Sequence, residues 1–143
     1  MVRKDKPKTI FETGKRRLAV ARARVVNGTG KVFINKKPLE IWGNEVLRMW
    51  VKEPLVIAGD LAKKVNIEVT TRSGGIVGQA EATRMAVARG LVDFTRSEEL
   101  KEKFMDYDRN MLVYDPRRNE THHGSGRGAS KRGSRSHKQR SKR

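Results

Sequence analysis

The strongest hydrophobic pattern in the chain is an alternation over residues 18–26. One face of this stretch holds small or branched apolar side chains: Ala19, Ala21, Ala23 and Val25. The opposite face carries two arginines among apolar neighbours: Leu18, Val20, Arg22, Arg24 and Val26. A period of two residues is typical of a β-strand. The pattern therefore predicts a strand with Arg22 and Arg24 side by side on one face.

Shorter patterns predict three further strands. They cover residues 9–13, 31–35 and 65–70, and a basic turn at 14–17 follows the first of them. Asn27-Gly28-Thr29-Gly30 is typical of a tight hairpin turn. We therefore expect the strand over 31–35 to return along the alternating strand.

Apolar residues at helical spacing predict three helices. The first covers residues 43–52 and ends before Pro54, because proline disrupts a helix interior. The second covers residues 76–94, with one apolar face: Ile76, Ala80, Thr83, Val87, Leu91 and Phe94. The third begins after Ser97, a predicted N-cap, and Leu100, Phe104 and Met111 continue its apolar stripe.

The distribution of charge sets the C-terminal segment apart from the predicted strands and helices. The chain has 143 residues and a formal net charge of +17. Residues 116–143 hold ten Lys or Arg, one acid, no aromatic residue and one apolar residue, Ala129. Such a segment buries too little apolar area to offset its chain entropy, so we expect it to be disordered in isolation. A dense polyanion would neutralise and order it.

The excess of bases predicts nucleic acid as the partner, with an anionic membrane surface as the alternative. The chain has no cysteine, which excludes disulfides and thiolate zinc sites. No apolar run approaches the ~20 residues of a membrane span. The first eight residues are basic, but no apolar region follows them, so we do not expect a secretory signal.

The segment Ser73-Gly74-Gly75-Ile76-Val77-Gly78 joins a predicted strand to a predicted helix. Glycines in such a turn let backbone N–H groups approach a phosphate at the helix N-terminus. Three interpretations are open: a tight turn that allows close helix–sheet packing, the same turn contacting an RNA backbone, or a mononucleotide site. The dinucleotide fingerprint requires glycine where Ser73 stands.

Candidate catalytic chemistry is sparse. The three histidines, His122, His123 and His137, lie in the C-terminal tail without Cys, Asp or Glu at ligand spacing, so we expect no metal site. No Ser–His–acid or paired-carboxylate set can be placed in the rest of the chain. We therefore expect neither an enzyme nor a cofactor.

Residues 93–108 form a net-acidic stretch of six acids and three bases. Two interpretations are open. This surface faces away from a bound polyanion, or it is an ordinary solvated helix face.

Several motifs occur in a characteristic order. Gly14-Lys-Arg-Arg-Leu-Ala-Val-Ala-Arg-Ala-Arg24 precedes Asn27-Gly-Thr-Gly-Lys-Val-Phe-Ile-Asn35, then Gly74-Gly-Ile-Val-Gly-Gln-Ala80, and the chain ends in Ser-Lys-Arg. In this order they resemble the family of the ninth protein of the small ribosomal subunit. Tyr107-Asp-Arg-Asn-Met-Leu-Val113, followed by Asp115-Pro-Arg-Arg118, is similar to its archaeal and eukaryotic branch.

The resemblance implies an α+β fold in the head of the small subunit. The expected unit is a single two-layer domain with a four-stranded, mostly antiparallel sheet, helices on one side and a left-handed β-α-β crossover, contrary to the usual hand. A long extended basic tail follows it. The expected divisions are a basic arm over 1–8, a globular RNA-binding domain over 9–113 and the tail over 114–143.

The resemblance also implies a structural protein of the cytoplasmic ribosome. Its expected partners are small-subunit rRNA, the P-site tRNA and neighbouring head proteins, with no membrane, cofactor or small-molecule substrate. Lys142 and Arg143 are expected to contact the tRNA anticodon stem-loop. Charge and resemblance together predict the rRNA contacts: Lys15, Arg16, Arg17, Arg22, Arg24, Arg72, Gly74, Gly75, Arg117, Arg118, Arg127, Lys131, Arg132, Arg135, Lys138 and Arg140.

Two other functions compete with this interpretation. A free nucleic-acid compacting protein would bind duplex DNA and RNA alike. A nucleotide-dependent enzyme would bind nucleotides saturably at residues 73–78.

Overall fold

The alternating strand lies inside a mixed sheet. In the computed structural model, which describes residues 9–118, the strands are β1 (Thr9–Arg16), β2 (Ala19–Asn27), β3 (Val32–Ile34), β4 (Lys37–Pro38) and β5 (Val65–Arg72). The α-helices of this part of the chain are α1 (Glu45–Ala58), α2 (Ile76–Thr95) and α3 (Glu98–Tyr107). Short 3-10 turns flank α1 and follow α3.

The order of strands across the sheet is β1-β2-β5-β3-β4. Neighbouring strands are antiparallel except for β3 and β5, which are parallel. The chain between those two strands contains α1, so they form the β-α-β unit. The helices lie on one side of the sheet. These features confirm the predicted α+β fold, and the two-residue strand β4 is a short fifth strand at the edge.

The predicted hairpin at Asn27–Gly30 is wrong. β5 lies between β2 and β3, so the two strands do not pair with each other. The glycine-rich segment is instead a connection that packs on the start of β5: the Asn66 side-chain oxygen accepts hydrogen bonds from the backbone N–H groups of Thr29 and Lys31 at 2.9 and 3.1 Å. Local turn chemistry predicts a bend, but it does not say which strand the chain pairs with afterwards.

Two tight turns occur at other places. β1 continues through the predicted basic turn to Arg16, and the turn itself is Arg17–Leu18, with Arg17 at a φ of +52°. β3 and β4 are joined by Asn35 and Lys36, which both have positive φ. Positive φ at both central residues is the geometry of a type I′ hairpin turn.

The prediction that α1 ends before Pro54 is also wrong. The helix runs from Glu45 to Ala58 with Pro54 buried inside it, and Gly59 caps it at a φ of +56°. Proline lacks the N–H that would bond four residues back, so the helix forgoes one hydrogen bond at this point. Burial of Val51, Pro54 and Ala58 along one side of α1 favours continuing the helix.

α2 covers the inner face of the sheet, which confirms the predicted alternation. The inner face consists of buried side chains from three strands: Ala19, Ala21, Ala23, Val25, Ile34, Val65, Ile67 and Val69. α2 is buried on most of its circumference because the sheet lies on one side of it and α1 and α3 lie on the other. Ala80, Thr83, Val87 and Leu91 of the predicted face are buried, whereas Ile76 at the helix start is 67% exposed.

Small residues let α2 approach the sheet at backbone distance. A Cβ added to Gly14 in β1 would lie 2.0 Å from the Ala82 carbonyl oxygen and 2.7 Å from the Ala86 nitrogen. A Cβ on Gly90 would lie 2.7 Å from Val25. Gly14 excludes larger residues because the opposing atoms of Ala82 and Ala86 belong to a helix backbone, whereas Gly90 faces the Val25 side chain.

An ion-pair network connects α1 and α3 to α2. Arg84 contacts Glu53 of α1 and Asp108 at the end of α3, both at 2.5 Å. Ser97 caps α3 by accepting a hydrogen bond from the Leu100 N–H at 3.3 Å, as predicted. Leu100, Phe104 and Met111 are buried, which confirms the predicted stripe.

Candidate nucleic-acid interface

The sheet face opposite α2 is not covered by any element of residues 9–118, and we call it the open face. Strand parity places alternate residues of β1, β2 and β5 on it, and most of them are exposed: Phe11, Thr13, Lys15, Arg22, Arg24, Glu68, Thr70 and Arg72. Glu68 is the only acid in this set. The open face is therefore basic, whereas the inner face is apolar.

Arg22 and Arg24 lie in the middle of the open face. Arg24 stands between Phe11 of β1 and Glu68 of β5, and its Nη1 lies 3.3 Å from the Glu68 carboxylate. Both members of this ion pair are more than half exposed, so the pair contributes little to stability. Arg22 lies between Thr13 and Thr70. The guanidinium groups of both arginines are thus presented to solvent two residues apart.

Further cations gather at one end of the open face, which we call the basic end. Lys15, Val20 and Arg72 are partners in the strand register there, and Arg17 extends beyond them in the β1–β2 turn. Lys15, Arg17 and Arg72 are exposed. The structure thus brings together side chains that are more than fifty residues apart in the chain.

The glycine turn between β5 and α2 also lies at the basic end. Gly74 has a φ of +68°, and a Cβ there would lie 2.8 Å from the Ala19 side chain and 2.9 Å from its backbone nitrogen. This contact accounts for the glycine at 74 by close packing, one of the three interpretations left open. Gly75 has open space around it and precedes the first turn of α2, which contains no acid. The N–H groups of that turn are thus compatible with an anion.

The two concavities beside α1 do not include the glycine turn. Their volumes are about 370 and 360 Å³, and neither is lined by residues 73–78. No group of three or more His, Asp or Glu side chains within residues 9–118 could hold a metal ion. None of the helices in this range is long and apolar enough to cross a membrane.

Arg16 differs from the other basic rRNA contacts predicted within residues 9–118 because it points into the protein. Its guanidinium contacts Glu81 of α2 and Asp115, and its side chain is only 20% exposed. Both pairs are charge-assisted hydrogen bonds, which hold the side chain in place. The geometry therefore favours a structural role for Arg16.

The chain that follows the last 3-10 turn lies against β1, and we call residues 112–118 the C-terminal strap. Arg89 of α2 fixes its start by donating two hydrogen bonds to the Leu112 carbonyl, at 2.9 and 2.7 Å, and one to the Thr13 carbonyl at 2.9 Å. Asp115 fixes its middle through Arg16. The strap therefore leads the chain out beside the basic end.

Asp115 is the one carboxylate of the strap, and its pKa is strongly lowered. The hydrogen bonds that it accepts from the Arg117 side chain and backbone, helped by the charge of Arg16, hold the pKa of Asp115 far below its usual range. Arg117 remains 77% exposed despite this contact. Arg118 lies over the Tyr114 ring, 5.7 Å from its centroid, and donates to the Tyr114 hydroxyl at 3.0 Å. Both arginines thus add exposed charge where the strap ends.

The acidic stretch lies on the helical side of the molecule. α3 packs on α1 and α2, and its exposed acids are Glu98, Glu99, Glu102 and Asp106. Asp108 turns inward. Burial raises the pKa of Asp108, but hydrogen bonds from Asn110 and Arg84 outweigh burial, so that pKa lies below its ordinary value. The exposed acids of α3 thus lie on the side of the fold away from the open face, whereas the open face carries one acid, Glu68.

One exposed side chain escaped prediction. Phe11 is 70% exposed on the open face, on the edge strand β1 beside Arg24. Strand alternation could have predicted this exposure. Gly14 lies three residues further along β1 and faces α2, so Phe11 faces the opposite side of the sheet. The remaining predicted contacts lie outside the described residues: Arg127, Lys131, Arg132, Arg135, Lys138, Arg140, Lys142 and Arg143.

Comparison with known proteins connects this geometry to a family. Residues 14–143 match the family model described as ribosomal protein S9/S16. The chain is 50% identical over 119 residues to the small ribosomal subunit protein uS9 of Pyrobaculum aerophilum, covering 83% of this chain and 84% of the relative. It is 48% identical over 116 residues to uS9 of Desulfurococcus amylolyticus, covering 81% and 83%.

A third relative is uS9 of Methanococcus maripaludis, with 45% identity over 115 residues that cover 80% of this chain and 86% of the relative. The similarity thus extends over most of both chains. It confirms the family expected from the sequence motifs. The chain belongs to the ribosomal protein S9/S16 family and is a structural, non-enzymatic protein of the small ribosomal subunit.

Proposed function

We propose that this protein binds small-subunit rRNA through one continuous basic surface. This surface consists of the open face, the basic end and the exit of the C-terminal strap. It continues along the chain into the tail over 114–143, whose bases are predicted to contact rRNA as well. The tail would then bring Lys142 and Arg143 to the anticodon stem-loop of the P-site tRNA.

The clustering of bases on the open face, beside a single acid, is the observation that carries the rRNA part. Lys15, Arg17, Arg22, Arg24 and Arg72 are exposed together, whereas the exposed acids of α3 lie on the helical side. Exposed guanidinium groups match phosphate oxygens in pairs, and an Arg pair two residues apart on a strand can contact successive phosphates. Neutralising phosphates releases counterions, so binding of this kind weakens steeply with salt.

The basic end supplies a second kind of contact. Arg72, Gly74 and Gly75 precede α2, where free N–H groups and the helix dipole favour an anion. An RNA phosphate at this position would be held by backbone donors on one side and by Arg17 or Lys15 on the other. The glycine turn would then serve both packing and RNA contact.

Proteins of the subunit head are the proposed neighbours of the helical side. Met49 and Val56 of α1 and Tyr107 of α3 are all more than half exposed, and all three line the same concavity. Exposed apolar side chains gathered in this way are typical of protein–protein contacts. RNA and protein partners would thus occupy opposite sides of the fold.

The tRNA part rests on the family resemblance of the Ser-Lys-Arg end. It is supported by the strap, which directs the chain out beside the basic end. The contact that we assign to Arg143 is one guanidinium fork on a phosphate. Such a charged hydrogen bond typically contributes ~1.5–3 kcal/mol, less where solvent reaches it.

The rRNA proposal is tested with a charge-matched pair of variants. Arg22→Ala with Arg24→Ala removes two cations from the open face, and Lys101→Ala with Lys103→Ala removes two from α3. Binding to small-subunit rRNA should weaken roughly ten- to a hundred-fold in the first variant, and its log–log salt slope should flatten by about 1.5. The second variant should bind almost as the wild type does.

Equal losses in the two variants would show that only net charge matters, as in a nucleic-acid compacting protein. Equal binding of duplex DNA and rRNA by the wild type would lead to the same conclusion.

The tRNA proposal needs assembled subunits of equal protein content. Deleting Lys142 and Arg143 should leave assembly nearly intact, because the open face and the other tail bases remain. Dissociation of P-site tRNA should accelerate roughly ten- to a hundred-fold, and Arg143→Lys should restore only part of the loss, because the guanidinium fork is missing. Unchanged dissociation would remove the tRNA role and leave the rRNA scaffold.

A further inference from the structure

We propose that the open face is a stacking platform for unpaired RNA bases, with Phe11 as the stacking residue. This inference rests on the proposed rRNA binding and specifies which form of RNA the open face takes. Phosphate contacts alone do not use an aromatic side chain, whereas an exposed aromatic ring can stack on an unpaired base.

The placement of Phe11 is the first observation. Its neighbours Ile10 and Glu12 face the helical side and are half-buried, whereas Phe11 is 70% exposed in the middle of a regular strand. An antiparallel strand with one solvated face usually carries polar side chains there. A single exposed apolar residue is common, so its surroundings have to decide whether it has a role.

Those surroundings are cationic and aligned by the strand register. One row of side chains crosses four neighbouring strands. It consists of Phe11 on β1, Arg24 on β2, Glu68 on β5 and Phe33 on β3. Phe33 is half-buried and lies about 14 Å from Phe11, three strand spacings away. Arg22 occupies the next row, and Lys15 and Arg72 the row beyond it. The exposed ring of Phe11 thus lies at the edge of a group of four basic side chains.

A partner of this surface needs both a negative backbone and flat apolar groups. Single-stranded RNA provides both, because its phosphates repeat along the chain and its bases are free to splay out. Duplex RNA provides the phosphates but keeps its bases stacked inside the helix. An acidic protein segment would meet the charge but would leave the ring of Phe11 unmatched. The open face therefore fits unpaired nucleotides best.

The strand geometry assigns the contacts. Phe11 stacks on one base, and Arg22 and Arg24 hold the phosphates on either side of it. Arg24 lies one strand spacing from Phe11, about 5 Å, so its guanidinium can reach the backbone of the stacked nucleotide. Glu68 lies on the other side of Arg24, with its carboxylate 3.3 Å from the guanidinium.

The test compares Phe11→Ala with Tyr107→Ala in the full-length protein. Tyr107 is similarly exposed but lies on α3, on the helical side. With a mixed-sequence oligoribonucleotide of about 12 nucleotides as the probe, Phe11→Ala should weaken binding roughly five- to a hundred-fold without changing the salt slope. Phe11→Tyr should bind nearly as the wild type does, and Tyr107→Ala should have no effect.

A spectroscopic measurement tests the contact itself. Phe11→Trp should bind the same probe with a quench of tryptophan fluorescence that is larger than in the wild-type protein, whose Trp42 and Trp50 lie in or against the core. The probe annealed to its complement should produce much less of this added quench. A quench of equal size with the duplex would overturn the stacking assignment.

The outcomes separate this inference from the function on which it rests. Normal RNA binding by Phe11→Ala, together with weak binding by Arg22→Ala with Arg24→Ala, would refute the platform and retain rRNA binding through phosphates. Absence of rRNA binding by the wild-type protein would refute both. Thermal unfolding at the wild-type temperature would show that Phe11→Ala is folded.

Discussion

The two faces of the β1–β2 hairpin have opposite properties although they are built from alternate residues of the same strands. The inner face centres on Gly14, the alanines of β2 and Val25, and it packs against α2 at backbone distance. The open face is made of arginine, lysine and phenylalanine and touches no element of residues 9–118. The inner face therefore determines the stability of the fold, whereas the open face is free to serve a partner. Substitutions on the two faces should separate into these two classes.

The largest expected effect is on the inner face, at Gly14. Gly14→Ala should lower the free energy of unfolding by about 3 kcal/mol, because the added methyl group would overlap the Ala82 carbonyl and push α2 off the sheet. Gly75→Ala is the control: a Cβ there meets nothing within 4 Å, so the change should stay within about 1 kcal/mol. Urea unfolding monitored by circular dichroism measures both. Similar losses would show that the contact at Gly14 is relieved by a shift of α2.

A smaller loss is expected where α2 holds the strap. Arg89→Met should cost about 1–3 kcal/mol, because it leaves the carbonyls of Leu112 and Thr13 without their guanidinium donor. Arg22→Met replaces an arginine of the open face and should change stability by less than about 0.5 kcal/mol. The same unfolding measurement applies. A comparable cost at Arg22 would mean that the open face also contributes to the fold.

A local effect is expected at Asp115. Asp115→Asn should increase amide exchange at Arg117, whose N–H donates to this carboxylate at 3.0 Å, while the core stays protected. The folded-state pKa of Asp115 is lowered, so its stabilising effect is complete above the ordinary value of 3.8 and is lost as the pH falls below it. Exchange measured against pH in the acid range should show this loss.

Asp60→Asn is the matched control for Asp115. Asp60 also pairs with a base, Lys63, at 2.7 Å, but it lies beyond the end of α1 and away from the strap. This variant should leave exchange at Arg117 unchanged. An increase at Arg117 in both variants would indicate general loosening and not release of the strap.

The smallest effect is expected at Glu12. A hydrogen bond with Asp93, burial and the negative charge of Asp93 raise the pKa of Glu12 above its ordinary value of 4.5. The folded state therefore holds this proton more tightly than the unfolded state, and stability falls as the pH rises from about 4.5 through the raised pKa. Glu12→Gln should remove that fall and stabilise the protein at neutral pH by less than about 1 kcal/mol. Thermal unfolding between pH 4 and pH 7 measures it; a steeper fall in the variant would contradict the assignment.

The sequence predicted the elements of this fold better than their arrangement. Alternation in β2 and β5 and the apolar face of α2 are local patterns, and the structure confirms them. The hairpin at Asn27–Gly30 failed because strand pairing depends on β5, which arrives almost forty residues later and inserts between β2 and β3. The prediction that α1 ends before Pro54 failed for a related reason, because burial of α1 against α2 outweighs a local preference for ending the helix.

The interface shows the same difference between what a local pattern predicts and what the three-dimensional arrangement decides. Strand parity places Arg16 on the same face as Gly14, but nothing in Gly14–Arg17 shows that its partners are Glu81 and Asp115. Those partners come from α2 and the strap, which only the fold brings near. Phe11 escaped for another reason, since an aromatic residue in a strand is ordinarily assigned to the core.

The anchoring of the strap has a consequence for how the two proposed RNA partners are bound. Twenty-five residues follow Arg118, so the last residue can lie at most ~85 Å from that anchor. Once the open face is bound to rRNA, the tail end is confined to this radius and is held at a high effective concentration near any partner within it. A contact of modest intrinsic affinity at Lys142 and Arg143 is then sufficient, because its association is intramolecular. The contact can also release tRNA quickly, since its occupancy depends on proximity and not on a slow dissociation rate.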